Sequence, residues 1–474
     1  MGTRIEEAYK DLEGKKALVL GLGVHGGALG VARFLAEHGA EVTVTDLRPE
    51  SELAESLEAL KDLDIRYVLG EHRPEDILSA DFIVRNPAVP RESKWLELAR
   101  ENGIPVLMEM NLFWRYCPAP ITAITGSKGK STTTSWLGHI SKLWRPDTVV
   151  AGNLRVSALS MLPQISEDTP VILELSSWQL EAFEVGGEAP HVSCITNISY
   201  DHLNRYPSFE AYYNSKRWIY RNQKTADYAV FNYDDPIVSR FVEDCLAQVR
   251  WFSRSSHVKP GGYIDNDYIY LVDETGSTRK LLQVHELQLP GEHNRMNALA
   301  AAVLASAMNI PDEFIVEGLR TFKGLPDRLE LVSVIDGVKY INDTTSTVPA
   351  STIAALKAVE GEVVLLAGGA SKNVPFDELA DFICQKKVRV VLLEGSATAD
   401  LQTAINKRCP ELIVGTFSSL ESALEAARDI ARPGHTVLLS PACASFGMFR
   451  NEFHRGQLFK DLVHKMEGKG TQHG

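Results

Sequence analysis

The sequence predicts an α/β protein of three domains. Short β-branched, apolar runs alternate with segments of helical spacing, and polar or glycine-rich segments follow the ends of the predicted strands. Breaks in composition at residues 117–120 and 322–328 divide the chain, whose 474 residues are too many for a single core. We therefore expect a Rossmann-like domain at 1–116, a central phosphate-loop domain with a small β-sheet at 117–324, and a Rossmann-like domain at 325–474.

Composition excludes several classes of function. The net charge of −13 argues against binding to nucleic acid or to an anionic membrane surface. The chain opens on a polar segment rather than a signal peptide, and it holds no apolar run long enough to span a bilayer. The cysteines form no C-x-x-C pair, which indicates a reducing compartment and neither a disulfide scaffold nor a zinc site. We expect a cytoplasmic protein. The cysteines are Cys117, Cys194, Cys245, Cys384, Cys409 and Cys443.

The first domain opens like a dinucleotide-binding unit. A strand at Lys16–Leu20 runs into a G-x-G-x-x-G turn at residues 21–26, then a helix, then a second strand that ends in Asp46. Taken alone this pattern suggests NAD, although the glycines could serve only close packing of helix and strand. The loop at 86–90 directly follows another strand, at the sheet edge where ligands bind, or it is a plain turn.

The central domain opens on a strand, a tight turn and a helix. Ile121–Thr125 is the strand, and the turn reads T-G-S-K-G-K-S over residues 125–131. In this arrangement backbone N–H groups and a helix N-terminus converge on phosphate, Lys130 reaches the β- and γ-phosphates, and Ser131 contacts Mg²⁺. The full Walker pattern asks for glycine where Ile124 stands, so the loop is a shortened one.

Polar residues follow later elements of the central domain. Glu174 ends an apolar strand, where a Walker-B-type carboxylate would hold Mg²⁺, and Asp201 and His202 follow another, as metal-shell groups or as a surface turn. Lys216 lies within a predicted helix, where a lone lysine is usually solvated, so its spacing assigns it no role. Residues 249–288 predict a small sheet beside the main one. The polar start of the helix after residue 291 could serve a nucleotide or merely cap the helix.

Strands alternate with helices again in the third domain. Polar residues follow three of its strands, at 342–347, 367–372 and 440–445. This pattern predicts a third doubly wound domain, again with polar residues at the carboxyl ends of its strands.

Together these motifs resemble the Mur ligases, the ATP-dependent amide-forming enzymes of peptidoglycan synthesis. The resemblance covers nearly the whole chain, and its most specific pieces are the shortened loop and the motifs at 174–181, 201–206, 291–297 and 440–446. The last two, together with the Rossmann-like first domain, favour the branch that adds D-glutamate to UDP-N-acetylmuramoyl-L-alanine through an acyl phosphate. A monomer that closes around its substrates, with hinges near 117–120 and 323–327, is the corresponding expectation.

The resemblance also implies site residues. Lys130, His202 and Lys216 would be catalytic, and the first domain would hold the UDP of the substrate rather than NAD. The UDP-substrate residues would be Val24, His25, Asp46, Asn86 and Asn153. The ATP residues would be Gly126, Ser127, Lys128, Gly129, Lys130, Ser131, Thr132, Asn294, Asn297, Arg328 and Asp343. Two Mg²⁺ ions would be held by Ser131, Glu174, His202 and a carbamylated Lys216. The amino-acid residues would be Thr347, Lys372 and Ser445.

Two departures from the family pattern leave the acceptor open. Thr345 stands where the family usually has lysine, and residues 445–453 differ from the usual ending. The alternatives are a ligase for L-glutamate, or one that extends a glutamate chain as folylpolyglutamate synthetase does, although that family lacks such a first domain. From other classes, the alternatives are a phosphate-loop switch that forms no bond and an NAD oxidoreductase with an attached ATPase.

Overall fold

A computed structural model describes residues 9–23, 27–153, 157–200, 206–289, 291–372 and 374–470. The chain forms two compact units, Met1–Phe322 and Lys323–Gly474. The first contains two sheets and the second contains one. Three expected site residues, Val24, His25 and His202, lie outside the described residues.

The first sheet has five parallel strands in the order β3-β2-β1-β4-β5. Since the order reverses between β1 and β4, the crevice outside their carboxyl ends is the expected ligand position. The strands are β1 Lys16–Leu20, β2 Glu41–Asp46, β3 Ile65–Leu69, β4 Phe82–Arg85 and β5 Val106–Leu107, and the helices are α1 Gly27–Glu37, α2 Glu50–Glu58, α3 Pro74–Leu78, α4 Lys94–Glu101 and α5 Glu109–Tyr116.

The second sheet has nine strands in the order β14-β13-β12-β11-β10-β9-β6-β8-β7. Its central strands β6, β8 and β9 are wholly buried, as both-sided coverage of a parallel sheet requires. The strands are β6 Ile121–Thr125, β7 Val149–Gly152, β8 Val171–Glu174, β9 Val192–Ile195, β10 Tyr228–Asn232, β11 Gln248–Ser253, β12 Gly261–Asp265, β13 Tyr268–Val272 and β14 Thr278–Gln283. The helices are α6 Lys130–Trp144, α7 Ser177–Leu180, α8 Phe183–Gly186, α9 Phe209–Arg221, α10 Glu292–Ala307 and α11 Asp312–Thr321.

The β-rich segment after residue 248 extends this sheet. Strand β11 pairs with β10 in parallel, and β12 to β14 follow in series, the last two pairs antiparallel. One continuous nine-stranded sheet therefore replaces the separate small sheet that the sequence suggested. Edge pairing satisfies the backbone groups of β10 that a separate sheet would leave open.

The second unit holds a six-stranded sheet in the order β15-β16-β20-β17-β18-β19, parallel except for the β15–β16 hairpin. The strands are β15 Glu330–Ile335, β16 Val338–Asn342, β17 Val363–Gly368, β18 Arg389–Leu393, β19 Ile413–Phe417 and β20 Thr436–Leu439, and the helices are α12 Pro349–Ala358, α13 Asp377–Lys386, α14 Thr398–Asn406, α15 Leu420–Ile430 and α16 Glu452–Gly470.

The described part of the chain contains one disulfide bond, and the structure also bears on the expectation that no segment spans a membrane. Cys384 of α13 is joined by a disulfide to Cys409, which follows α14, with their Cα atoms 5.9 Å apart. The expectation of a reducing compartment without a disulfide scaffold did not anticipate this bond, because residues 25 positions apart in sequence are brought together by two packed helices. Among the described residues, no helix is both long and apolar enough to cross a membrane.

Candidate active site

The loop between β6 and α6 needs glycine at two positions. Gly126 and Gly129 have φ angles of 146° and 81°, in the region that disfavours side chains. A Cβ atom on Gly126 would collide with Oγ1 of Thr196, and one on Gly129 with Oδ1 of Asn297. The two glycines therefore allow both the left-handed turn and the close approach of neighbouring polar groups.

Asn197, which follows β9, holds the loop in shape. Its carbonyl accepts the Ser127 N–H at 2.8 Å, its Oδ1 accepts the Lys128 N–H at 2.9 Å, and its Nδ2 donates to the Lys128 carbonyl at 2.8 Å. The Lys130 ammonium lies over the loop, donating to the carbonyls of Gly126 and Ser127 at 2.9 and 3.1 Å. Ser131 and Thr132 are partly exposed in the first turn of α6. The arrangement presents a cation and a helix N-terminus on one side, as a phosphate requires.

A buried carboxylate lies on the next strand. Glu174 ends β8, which pairs with β6 so that Glu174 is opposite Ile124. Its side chain is buried; Oε1 accepts a hydrogen bond from Asn153 Nδ2 at 2.9 Å, whereas Oε2 has no hydrogen-bond partner among the described residues. A buried oxygen of this kind needs an explanation. A hard cation beside the phosphate loop would provide one, since Mg²⁺ prefers carboxylate oxygens.

Lys216 is buried rather than solvated. It lies on α9 with 2 % exposure, its Nζ is 3.5 Å from Oγ1 of Thr125, and the ammonium is 5.0 Å from the ring of Tyr212. The Tyr212 hydroxyl in turn lies 2.9 Å from Oγ of Ser127. Because a lysine is rarely buried to this extent, its position at the end of β6 marks it as a functional candidate. Sequence spacing alone did not reveal this.

The start of α10 lies against the same loop. Asn297 is buried, its Oδ1 is 3.4 Å from Oγ1 of Thr133, and its Nδ2 is 3.4 Å from Oδ1 of Asn294. The structure thus brings together the phosphate loop, Glu174, Lys216 and the two asparagines, although they come from four separate segments. We call this group, residues 125–133 with Glu174, Lys216, Asn294 and Asn297, the nucleotide edge.

A second cluster forms where β1 and β2 end in the first sheet. Asp46 is buried and accepts the backbone N–H groups of Leu22 and Gly23 at 3.0 and 3.2 Å, and it forms an ion pair with Arg48 at 2.7 Å. Burial alone would raise the pKa of Asp46, but hydrogen bonds from the side chain and backbone of Arg48 and from Gly23 outweigh it and lower the pKa. Asp46 therefore stays ionised and holds the glycine turn.

The loop at 86–90 lies against that turn from the other side. A Cβ atom on Gly21 would be 3.1 Å from Cγ2 of Val89 and 3.2 Å from Cβ of Asn86. The Asn86 side chain accepts the Ala88 N–H at 2.9 Å, so it shapes its own loop. We call residues 21–23, Asp46 and 86–90 the substrate edge. They border the crevice between β1 and β4, where an open α/β sheet binds its ligand.

Three loops of the second unit meet at the carboxyl ends of neighbouring strands β16, β20 and β17. Lys372 Nζ donates to Oγ1 of Thr347 at 2.7 Å. A pair of backbone hydrogen bonds between Ala370 and Ala444 joins the loop of Lys372 to the loop of Ser445. Ser445 is buried, and its Oγ has no partner among the described residues. We call residues 343–347, 369–372 and 440–446 the acceptor edge.

The remaining expected residues of this unit occupy distinct environments. Asp343 is buried, with Oδ1 accepting the Leu329 N–H at 3.1 Å and Oδ2 accepting the Ser440 hydroxyl at 2.7 Å. Burial raises the pKa of Asp343, opposed by these hydrogen bonds and by the charge of Arg328, which is exposed. Thr345, at the position where the resemblance led us to expect lysine, donates to the Asp327 carbonyl at 3.0 Å.

Sequence reasoning missed the partners that position these groups. Asn197 and Tyr212 contact the phosphate loop, and Arg85 forms a buried ion pair with Glu181, in each case between residues distant in sequence. Arg85 directly precedes the loop at 86–90, and Glu181 is the last residue of the motif at 174–181. The sequence marked both segments, but nothing in their spacing paired the two residues.

Comparison with known proteins identifies the class of this fold and site. Three domain families match the chain in order: the Mur ligase MurD-like N-terminal domain over residues 15–108, the Mur ligase middle domain over 124–305, and the Mur ligase glutamate ligase domain over 327–443. A solved UDP-N-acetylmuramate-alanine ligase from Thermotoga maritima shares the fold, with a TM-score of 0.54 and 19 % identity, covering 95 % of this chain and 100 % of that one.

Full-length relatives agree. The UDP-N-acetylmuramoylalanine–D-glutamate ligase of Roseiflexus sp. (strain RS-1) is 47 % identical, with 95 % of this chain and 99 % of the relative covered. That of Caldanaerobacter subterraneus subsp. tengcongensis is 38 % identical, covering 96 % and 99 %. The chain belongs to the Mur ligase family, and it is an α/β ligase with the three domains of that family in their usual order.

Proposed function

We propose that this protein is an ATP-dependent, ADP-forming ligase that joins D-glutamate to UDP-N-acetylmuramoyl-L-alanine in peptidoglycan synthesis. The observation that supports it best is the nucleotide edge, where a glycine-dependent phosphate loop lies beside the unpartnered carboxylate oxygen of Glu174. The named activity of relatives that align over almost their whole length supports the choice of substrates.

The proposal assigns roles edge by edge. The substrate edge, together with Asn153 and with Val24 and His25, takes the UDP-sugar. The nucleotide edge takes ATP, and Arg328 and Asp343 are proposed as further ATP-binding residues. The acceptor edge takes the amino acid through Thr347, Lys372 and Ser445. Asn153 also donates to Glu174, so a substrate residue and a metal-binding carboxylate are directly linked.

The chemistry needs an activated carboxyl group. A carboxylate is a poor electrophile, so the γ-phosphoryl group of ATP moves to the alanyl carboxylate, and ADP leaves. The amine of glutamate then attacks the acyl phosphate, loses a proton, and phosphate departs. Two anions meet in the first step, and Lys130 with the amides of the loop supplies positive charge where negative charge accumulates, which is worth several kcal/mol in a site closed to water.

Two Mg²⁺ ions complete the charge balance in this proposal. Ser131, Glu174, His202 and a carbamylated Lys216 would hold them, and the ions would neutralise phosphate charge when bound. The fit rests on the free oxygen of Glu174 and on the burial of Lys216 close to the phosphate loop. An unmodified ammonium would repel a cation, whereas a carbamate would present the oxygen ligand that Mg²⁺ prefers.

The acceptor is the least constrained part of the proposal. Thr345 in place of lysine, and the altered ending at 445–453, permit L-glutamate as an alternative acceptor. A ligase that extends a glutamate chain, like folylpolyglutamate synthetase, is disfavoured because the MurD-like N-terminal domain matches residues 15–108. We further propose a cytoplasmic monomer with domain boundaries at 116/117 and 324/325, and closure about 117–120 and 323–327, which would exclude water from the acyl phosphate.

One assay separates these possibilities. Phosphate release is measured with ATP, Mg²⁺ and UDP-N-acetylmuramoyl-L-alanine, adding D-glutamate, L-glutamate, lysine or diaminopimelate in separate reactions. D-Glutamate is expected to give the highest kcat/KM by at least about tenfold, which corresponds to 1.4 kcal/mol of discrimination. A preference for another amino acid would reject the proposed acceptor, and phosphate release without any UDP-sugar would reject the ligase reaction.

A further inference from the structure

A buried ion pair connects the substrate edge to the central sheet. Arg85 is the last residue of β4, directly before the loop at 86–90, and Glu181 lies seven residues after Glu174. Arg85 Nη2 and Glu181 Oε2 are 2.6 Å apart, and the two side chains are 5 % and 3 % exposed. Neither residue has a part in the reaction proposed above.

The arginine holds several elements at once. Its Nη1 donates to the Val89 carbonyl within the loop at 2.9 Å, while Nη2 lies 3.1 Å from Sδ of Met108, just before α5. Because a guanidinium is planar and presents its donors in a fixed fork, these contacts define the position of the loop as well as its attachment. A buried pair is weak as a source of stability, since apolar residues of similar size often replace it without loss.

The glutamate end is equally well anchored. Between Glu174 and Glu181, Ser176 and Gln179 form a reciprocal cap, with the Gln179 N–H donating to Ser176 Oγ at 3.2 Å and the Ser176 N–H to Gln179 Oε1 at 3.0 Å. The Ala182 carbonyl accepts Asn111 Nδ2 at 3.0 Å. The segment that carries the carboxylate of the nucleotide edge is thus a short, hydrogen-bonded unit that ends in the partner of Arg85.

A second arginine brackets the loop at its other end. Arg91 follows residue 90 and forms an ion pair with Glu184 at 2.6 Å, more exposed than the first pair. The loop at 86–90 therefore lies between two arginines, and each of them forms an ion pair with a glutamate of the segment 181–184. The cap formed by Ser176 and Gln179 lies between this segment and Glu174 in the chain.

From this geometry we infer that Arg85 and Glu181 are positioning residues for the UDP-sugar: their pair sets the substrate edge in register with the nucleotide edge. The inference rests on the proposed function, because it assumes that the loop at 86–90 contacts the UDP-sugar. Without the pair the loop could still form, but it would be displaced from the position in which it contacts the UDP-sugar. The enzyme would then bind that substrate more weakly, while its sites for ATP and glutamate would be unchanged.

The test compares KM values for each substrate in the full-length enzyme. Arg85→Met is expected to raise KM for UDP-N-acetylmuramoyl-L-alanine by about tenfold or more, while KM for ATP and for glutamate stays within about twofold. Glu181→Gln, which keeps shape but removes charge, should have a similar effect. Arg85→Lys should recover part of the loss. The double variant should be no worse than the poorer single variant, since the two residues act through one contact.

Arg66→Met is the matched control. Arg66 lies in β3 of the same sheet and pairs with the buried carboxylate of Asp76, but near the amino end of its strand, away from the substrate edge. Its removal should leave all three KM values within about twofold. Equal rises in all three KM values in Arg85→Met would indicate a general structural role and overturn the inference.

The outcomes separate the inference from the function beneath it. If the wild-type enzyme ligates glutamate but a folded Arg85→Met variant keeps its KM for the UDP-sugar, the inference alone fails. If the wild-type enzyme does not ligate, the proposed function fails and the inference with it. If Arg85→Met does not fold, as judged by circular dichroism, the decision passes to Glu181→Gln, whose unchanged KM would overturn the inference in the same way.

Discussion

The nucleotide edge and the acceptor edge are built from the same material, polar groups at the carboxyl ends of parallel strands, but they are constrained differently. At the nucleotide edge the residues expected to bind phosphate, 126–132, are consecutive, and two of them must be glycine because of φ and of close contacts. At the acceptor edge three loops each supply a residue, joined by the bridge between Ala370 and Ala444 and by the hydrogen bond of Lys372 to Thr347.

The difference teaches where specificity can change. A contiguous loop that depends on backbone geometry tolerates few substitutions, so its chemistry stays constant while neighbours vary. A site made of separate side chains can exchange one of them without disturbing the backbone. Thr345 illustrates this, because its hydroxyl donates to the Asp327 carbonyl at the position where the resemblance led us to expect lysine. We therefore expect variants at the nucleotide edge to act on kcat and variants at the acceptor edge to act on KM for the amino acid.

The largest effect is expected from Lys130→Ala. The ammonium lies over the phosphate loop, and we propose that it supplies charge during phosphoryl transfer. Its loss should then lower kcat by at least about 10²–10³-fold, as removal of a single well-placed donor does. Phosphate release measures it. Lys142→Ala, an exposed lysine later in the same helix, is the control and should keep full activity. Substantial ligation by Lys130→Ala would contradict the expectation that variants at the nucleotide edge act on kcat, because the loop would not be the centre of catalysis.

Lys216→Ala probes the part of the nucleotide edge that lies outside the contiguous loop. If a carbamate there braces a metal ion, the variant should lose about 10²-fold in kcat and regain part of it in acetate or formate, which can occupy the vacated space. Phosphate release with and without added acid measures this. Lys224→Ala, which changes an exposed lysine just after α9, is the control and should keep full activity without added acetate or formate. Full activity of Lys216→Ala without acid would exclude the lysine from the mechanism.

Sequence alone described the contiguous loop of the nucleotide edge better than it described features that depend on packing between distant segments. The strand Ile121–Thr125 was predicted with its bounds, and the turn and helix after it were predicted in kind, because glycine spacing and strand pattern are local signals. That Lys216 is buried could not be predicted, since its burial depends on α9 packing near β6 and α7. The continuation of the central sheet through β11 and the pairing of Cys384 with Cys409 were missed for the same reason. Each of these features is decided by contacts between elements that are distant in the chain, and such contacts produce no periodic pattern in the sequence.

At the acceptor edge the sharpest variant is Ser445→Ala. The Ser445 hydroxyl is buried with no partner among the described residues, so its removal should not lower stability and could raise it slightly. If the hydroxyl binds the amino acid, KM for D-glutamate should rise by about tenfold, equivalent to one lost hydrogen bond to a charged group, while KM for ATP stays constant. Thermal unfolding and steady-state kinetics measure the two halves. A destabilised variant with unchanged KM would make Ser445 a packing residue.

Lys372→Ala extends the same test to a charged group. Lys372 is an exposed residue whose ammonium donates to Oγ1 of Thr347, so we expect a rise of about ten- to 100-fold in KM for D-glutamate and little change in stability. Lys339→Ala, an exposed lysine on β16 of the same sheet, is the control. A fall in kcat with constant KM in Lys372→Ala would contradict the division of labour between the two edges.

The smallest effect is expected at the contact between the first two sheets, which belongs to neither the nucleotide edge nor the acceptor edge. We call this contact, between Glu109 and residues 157–158, the joint. Glu109, at the start of α5, accepts hydrogen bonds from Oγ of Ser157 at 2.6 Å and from the Ala158 N–H at 2.9 Å, just before the 3-10 helix Leu159–Gln164. Burial raises the pKa of Glu109 to about 7, against the opposing effect of hydrogen bonds from Ser157, Ala158 and Leu159. The folded protein therefore holds a proton on Glu109 at a pH where the unfolded chain has released it.

The sign of the pH dependence follows from linkage. Below about pH 4.5 the carboxyl group is protonated in both states and contributes nothing; between that pH and about 7 the folded state binds more protons, so stability falls as pH rises. Glu109→Gln keeps an acceptor and removes the titration. Its free energy of unfolding relative to wild type should therefore increase by about 1–3 kcal/mol from pH 5 to pH 8. Urea unfolding of both proteins across this range measures it, with the exposed Glu101→Gln as a control that should show no trend. A difference that stays flat or falls with pH would mean that the carboxylate is as well stabilised in the folded protein as in water, and the joint would then resemble the nucleotide edge in fixing charge rather than excluding it.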